Sequence, residues 1–342
     1  MKKFVLFFYL FIVSIFLTGC GEEDGTVKSA DIHFDDSYYS VALPYLNGVG
    51  NHYVIDGSQN ISIEDVDISL MGLSTTYYRT NNSLYQEGQY LTEEELEELL
   101  SSERLNHTDS IEVDGKSFQP TFITHVHEQN YLSTNNTLKG ISLGIVLNPY
   151  QKISDYQYHE VDYDQVIQFG NEKALVLISY LRQKEELNYV RIFVGLYVCG
   201  DPDSVSSGSY QYAGITRNNQ IKFESIHYQY QYLTDSYVME HDFNSYQSFL
   251  NFDTQIKEVN DELFSSAKGL YVDNRLTSLE ITIHGSYMGR SEILMNGQVV
   301  SDLLVQLFDS SIYVHVQILI NDEVKAFITK QRNSSITNFY VL

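Results

Sequence analysis

The chain is 342 residues long, with 45 Asp plus Glu against 21 Lys plus Arg, a formal charge of −24 at pH 7. That balance excludes wrapping a nucleic acid, whose phosphates require a basic surface, and two cysteines exclude a disulfide-rich scaffold or a multi-thiolate zinc site. At 43% hydrophobic and 19% charged residues the composition is globular, and the length suits about two domains of roughly 150 residues.

The first element is a leader. Lys2 and Lys3 precede an apolar run, Phe4 to Leu17, broken only by Ser14. The run is short for a spanning helix, which needs about 20 residues, and a basic region before such a run is a secretory signal. Leu17-Thr18-Gly19-Cys20 follows at once and reads as a bacterial lipobox. Small residues fit the lipoprotein signal peptidase, and the Cys20 thiol takes a diacylglycerol before cleavage between Gly19 and Cys20. The expected product starts at Cys20, has 323 residues (342 less 19) and carries −26, since Lys2 and Lys3 leave with the leader. Its lipid would hold it on the outer face of the cell membrane, at about 0.8 kcal/mol per buried methylene. Gly21-Glu22-Glu23-Asp24-Gly25 reads as a polar tether. Cys199 ends the apolar run from Val190 to Val198, which predicts a buried, inert thiol.

From Asp31 to about Lys116 the signals are mixed. Thr92-Glu93-Glu94-Glu95 is a capping box, with Leu96, Leu99 and Leu100 on one face of the helix it opens. Next come a strand over Ile141–Leu147, a helix from Glu172 to about Lys184 with Leu175, Ile178 and Leu181 aligned, and strands over 189–199 and 210–216. Asp242 to about Lys268 reads as a long amphipathic helix, through Phe243, Tyr246, Phe249, Leu250, Ile256, Val259 and Leu263. The earlier order then returns: a strand at 279–283, a helix from Leu294 to about Phe308, and strands at 312–318 and 324–330. The first copy carries an insertion around Pro149 to Asp164. The expected fold is α+β, with two internally duplicated β-α-β-β units behind an N-terminal mixed segment. The expected boundaries are 1–19 for the signal peptide, 20–36 for the lipidated cysteine and tether, 37–116 for the N-terminal segment, and 117–236 and 237–342 for the repeats.

Three stretches invite chemistry. His125-Val126-His127-Glu128 is metal-like, because alternate residues of a strand point the same way. A third ligand is missing nearby, so solvated or capping histidines are expected. Asp201-Pro202-Asp203-Ser204 with Gly208 resembles a calcium loop without its twelfth-position acid, and a turn is the better reading. Tyr228, Tyr230 and Tyr232 alternate as a ridge that could stack on a ligand or supply cross-strand packing, and packing is favoured. No GxSxG elbow, P-loop, HExxH or GxGxxG fingerprint stands in a fitting context. No catalytic residue, cofactor or metal ligand is assigned, and the expectation is a non-enzyme.

Several blocks are similar to the CamS family, sex-pheromone biosynthesis lipoproteins of Gram-positive bacteria. They are Leu43-Pro44-Tyr45, Leu84-Tyr85-Gln86-Glu87-Gly88-Gln89-Tyr90-Leu91, Glu128-Gln129-Asn130-Tyr131, and the strand from Gly140 to Asn148. The resemblance implies a duplicated α+β fold and a leader that can be trimmed to a hydrophobic heptapeptide acting as a mating signal. The matching residues are Val13-Ser14-Ile15-Phe16-Leu17-Thr18-Gly19, whose Thr18-Gly19 ending departs from the alanine-rich or serine endings of family peptides. The resemblance carries over no catalytic residue.

The reading is an acidic, lipid-anchored cell-surface lipoprotein whose mature part is a binding or structural module. Its partners would be the membrane, through Cys20, and the lipoprotein-processing enzymes, with no nucleic acid. The alternative is an extracytoplasmic ligand-binding receptor or substrate-binding lipoprotein without pheromone activity.

Overall fold

The computed structural model describes residues 28–29, 38–55, 60–154, 157–217 and 220–342. The leader, its Gly19–Cys20 junction, the Val13–Gly19 heptapeptide and most of the tether lie outside the described residues.

Alternating and continuous apolar runs build one long mixed sheet. The N-terminal segment gives β1 (Lys28–Ser29), β2 (Ser40–Leu43) and β3 (Leu84–Glu87), while β4 (Ile111–Val113) and β5 (Lys116–Phe118) form a separate ribbon. Two ten-residue strands follow, β6 (Ile123–Leu132) and β7 (Leu138–Leu147), paired with each other. A second ribbon, β8 (Tyr150–Ser154) with β9 (Gln157–Glu160), occupies the stretch read as an insertion. Then come β10 (Arg191–Val198), β11 (Ser209–Arg217), the short β12 (Gln220–Ile221) and β13 (Glu224–Tyr232). The last five are β14 (Phe264–Val272), β15 (Arg275–Gly285), β16 (Tyr313–Ile320), β17 (Glu323–Lys330) and β18 (Thr337–Val341). Across the described residues the order is β1-β2-β3-β6-β7-β10-β11-β13-β14-β15-β16-β17-β18, with β12 beside the end of β11.

Pairing is antiparallel for β6–β7, parallel for β7–β10, and antiparallel for β10–β11 and β11–β13. The same senses run through β14–β15, β15–β16, β16–β17 and β17–β18. Each of the parallel steps β7–β10 and β15–β16 needs a crossover, supplied by helices α3 (Tyr163–Leu181) and α6 (Arg290–Leu307). The two stretches expected as β-α-β-β therefore hold more strands than that. An antiparallel strand, β6 or β14, precedes each, and another, β13 or β18, follows.

The other helices are α1 (Ile63–Ser74), α2 (Glu93–Leu99), α4 (Ser236–His241) and α5 (Phe243–Val259). α2 and α3 pack one face of β6–β10 into a core that includes Leu96, Ile145, Leu177 and Val194. α1 covers the opposite face, around Leu70, Phe193, Tyr197 and Tyr210. α5 and α6 cover one face of β14–β17, where Phe252, Ile281, Val300 and Val316 are buried. Along β16 and β17 buried and half-buried residues alternate, so the other face of these strands meets solvent.

Two helix boundaries differ most from expectation, for local reasons. The helix expected to reach Lys268 stops at Val259, because Asn260 leaves helical backbone and Leu263 N–H turns back to its carbonyl. Ala267, Gly269 and Tyr271 then alternate inward as β14. The helix expected from Glu172 starts at Tyr163, where Asp162 accepts the Gln165 N–H as its cap. Its buried stripe runs through Val166, Ile167, Gly170, Ala174, Leu177, Ile178 and Leu181, leaving Leu175 outside. The Thr92 capping box is present as read, with Glu95 reaching back to the Thr92 N–H.

Candidate functional site

Three of the resemblance blocks, Leu84–Leu91, Glu128–Tyr131 and Gly140–Asn148, meet along β6. Every residue of this strand is buried, including His125, His127, Glu128, Gln129 and Asn130. Buried polar groups need partners, and the two faces of β6 find them differently.

On one face, His125, His127, Gln129 and Tyr131 stand in file. His125 Nδ1 lies 2.7 Å from the Tyr53 carbonyl, and its Nε2 lies 3.4 Å from His127 Nδ1. His127 Nε2 meets Asp67 Oδ1 of α1 at 2.8 Å. Gln129 donates from Nε2 to Asp67 Oδ1 and to the Asp67 carbonyl, and Tyr131 Oη donates to Gln129 Oε1. The Tyr131 ring stacks on Tyr78 at 4.5 Å. The two histidines are thus neither solvated nor caps, which corrects the expectation. Burial, with the neighbouring His127 and His52 and against the Tyr53 carbonyl, lowers the His125 pKa to about 4. The Asp67 carboxyl is held below its ordinary value: its own burial raises it, and the hydrogen bond and charge of His127 and the bond from Gln129 outweigh that. Among the described residues no three His, Cys, Asp or Glu converge as a metal set.

On the other face, Glu128 clamps a loop. Its Oε1 accepts the Gln89 and Tyr90 N–H groups, and its Oε2 accepts those of Tyr90 and Leu91, at 2.8–3.2 Å. Burial raises the Glu128 pKa, and the N–H groups of Tyr90, Leu91 and Gln89 oppose the rise. A Cβ on Gly88 would stand 2.7 Å from Glu128 Cβ, so only glycine lets this loop approach. The loop leads straight into the Thr92 cap of α2, whose Leu96 and Leu99 are core residues. The amide of Asn51 pairs with the Glu128 backbone, accepting its N–H and donating to its carbonyl. Asn106 does the same for Ile123. Strand β3 pairs with β6 only from Gln129 to Leu132, and these two side-chain amides close backbone groups farther along that strand. The Leu84–Leu91 and Glu128–Tyr131 blocks therefore work as one fastening.

Tyr228, Tyr230 and Tyr232 are half-buried on β13. A Cβ on Gly72 of α1 would lie 2.3 Å from the Tyr228 hydroxyl, so this ring sits directly under that helix. Lys268 Nζ lies 5.2 Å and 5.9 Å from the Tyr230 and Tyr232 ring centres and pairs with Asp65 of α1 at 2.6 Å. At 201–206 the Asp201, Ser204 and Ser206 carbonyls converge on Asn60 Nδ2, at 2.8–3.0 Å. A side-chain amide thus fills the place a cation would take, which agrees with a turn. Cys199 is buried, and burial pushes its thiol up to about 12, far from nucleophilic.

Sequence reasoning did not find α1, Asp67 or the Glu128 clamp. The available signals were Ser62 as a cap before Ile63-Glu64-Asp65, with Val66 and Leu70 four apart.

None of the helices among the described residues is long and apolar enough to cross a membrane. No curated relative matches the chain. A sex pheromone precursor from Lactobacillus salivarius has a similar structure, with TM-score 0.82 at 20% identity over 92% of this chain and 98% of that one. The C-terminal domain of the staph-cAM373 precursor of Staphylococcus aureus is also similar, with TM-score 0.72 at 20% identity over 86% of this chain and 99% of that one. At such identities these likenesses speak for the fold. The family model described as CamS sex pheromone cAM373 precursor matches residues 51–335, most of the chain, and the protein therefore belongs to the CamS family.

Proposed function

We propose that this protein is a cell-surface lipoprotein, anchored through diacylglycerol on Cys20, whose leader is also the source of a secreted peptide. The observation that carries the reading is the coincidence of CamS membership with Lys2-Lys3, the apolar run and Leu17-Thr18-Gly19-Cys20 in one chain. The mature part serves as a binding or structural module rather than an enzyme. The His125–Tyr131 file is buried and internally partnered, which supports a structural role for its titratable groups. Two copies of one unit make up the body. The matching orders of pairing sense in β6–β13 and β14–β18 support a duplication. With a charge of −26, the mature body stands off an anionic membrane on its tether.

Labelling cells with an alkyne fatty acid is expected to tag the wild-type protein and not the Cys20→Ser variant, which keeps residues 1–19. Equal labelling of both rejects the anchor. Synthetic Val13–Gly19 peptide is expected to raise plasmid transfer from responsive donor cells. No response across donors that answer other family peptides rejects the pheromone part alone.

A further inference from the structure

Acidic residues outnumber basic ones more than two to one, and many cations here sit beside a carboxylate. Lys184 pairs with Glu95, Lys257 with Asp253, Lys268 with Asp65 and Lys325 with Glu323. Three of the eight arginines stand together without such a partner. Arg182, Arg191 and Arg217 line one groove of about 670 Å³ with Asn188, Tyr189 and Thr216, and no carboxylate is among its walls.

The strand register gathers two of these charges. β10 and β11 are antiparallel and their paired register ends at Phe193 opposite Ile215, so Arg191 and Arg217 both lie just beyond the same end of this ladder. Like charges brought together at one sheet end repel. Among the described residues neither arginine has a carboxylate within ion-pair distance. Arg182, at the C-cap of α3, is fixed by neutral partners: it donates to the Leu187 and Val190 carbonyls and to Thr216 Oγ1. Its charge is positioned and left uncancelled. Tyr189 at the rim is 99% exposed, an aromatic ring with no packing role.

We propose that this groove binds a phosphate-bearing ligand. The exposed forks of Arg191 and Arg217 each present paired N–H donors of the kind that engage an oxyanion bidentately. Three uncompensated charges match a phosphate, which carries up to two negative charges, better than a single carboxylate. The Tyr189 ring offers a surface to whatever the phosphate is attached to. The site does not depend on the Cys20 anchor, so the two readings fail separately.

The test is calorimetric titration of the full chain in detergent, at constant ionic strength, with two probes. Inorganic pyrophosphate represents a free phosphate compound. Dihexanoyl phosphatidylglycerol represents a lipid headgroup, with dihexanoyl phosphatidylcholine as its zwitterionic control. Saturable binding with Kd below about 1 mM is expected for at least one probe. The R191Q/R217Q double variant is expected to bind it at least about tenfold more weakly. Because both side chains are exposed and repel each other, that variant melts at or above the wild-type temperature, which separates lost binding from lost folding. Pyrophosphate binding alone supports the proposal with a free phosphate compound as source, and a preference for phosphatidylglycerol over phosphatidylcholine supports it with a headgroup. No saturable binding of either probe, or equal binding by the double variant, overturns it.

Discussion

Glu128→Ala is expected to lower the unfolding free energy by about 4 kcal/mol. The carboxylate is the acceptor for the N–H groups of Gln89, Tyr90 and Leu91 in a place closed to bulk water. Removing it strands those donors at about 1–3 kcal/mol each, less whatever water enters the space. The loop then loosens ahead of Thr92, so the cap of α2 and the burial of Leu96 and Leu99 weaken with it. Glu128→Gln keeps one carbonyl acceptor but turns an amide NH2 toward donors, and about half the loss is expected. Urea unfolding of the three proteins checks the order. An alanine variant within about 1 kcal/mol of wild type would show that the loop is held by something else.

The second large effect is on the pH dependence of stability. In the folded chain His125 has a pKa near 4, against an ordinary value of 6.5. The unfolded chain therefore binds this proton first as pH falls, and protonation pulls the equilibrium toward unfolding. The stability that His125 contributes is complete above pH 6.5 and declines as pH drops toward 4, by up to about 3 kcal/mol at about 1.4 kcal/mol per pH unit. The raised Glu128 pKa acts in the opposite sense in both wild type and a His125 variant. The groups facing His125 are His127, His52 and the Tyr53 carbonyl. Asp67, held below its ordinary 3.8, adds stability that is lost only at lower pH, so it does not mask the His125 window. His125→Gln can still donate to the Tyr53 carbonyl but cannot titrate. Its unfolding free energy should show a slope shallower by about one proton between pH 6.5 and 4. Parallel wild-type and variant curves across that window would mean that His125 does not titrate between the two states.

How far these features could be read in advance follows from where their partners lie. The Thr92–Glu95 box is local, three residues apart, and was legible as a helix start. The runs that became β7, β10, β15 and β16 announced themselves by apolar content or strict alternation. Helix α1 did not, because its buried stripe is thin. Val66 and Leu70 share that stripe with Ser69 and Ser74, and the helix packs against Tyr210 and Tyr228 rather than an aliphatic wall. β14 was hidden because Ile256, Val259 and Leu263 keep a helical spacing past the point where Asn260 breaks the helix. His125 and His127 gave their strand but not their burial. The residue that satisfies His127 is Asp67, 60 positions earlier on an element whose existence was not evident. Glu128 shows the same limit, since an acid in an acidic chain looks like surface until the Gly88–Leu91 loop is folded over it.

The anchored-lipoprotein reading stands or falls at one junction, Gly19–Cys20. Intact-mass and N-terminal peptide analysis of the protein extracted from membranes measures it directly. The expected result is a chain beginning at Cys20, lacking residues 1–19 and carrying the mass of a diacylglycerol on that cysteine. A mature protein that retains residues 1–19, or one with a free Cys20 thiol, would contradict it.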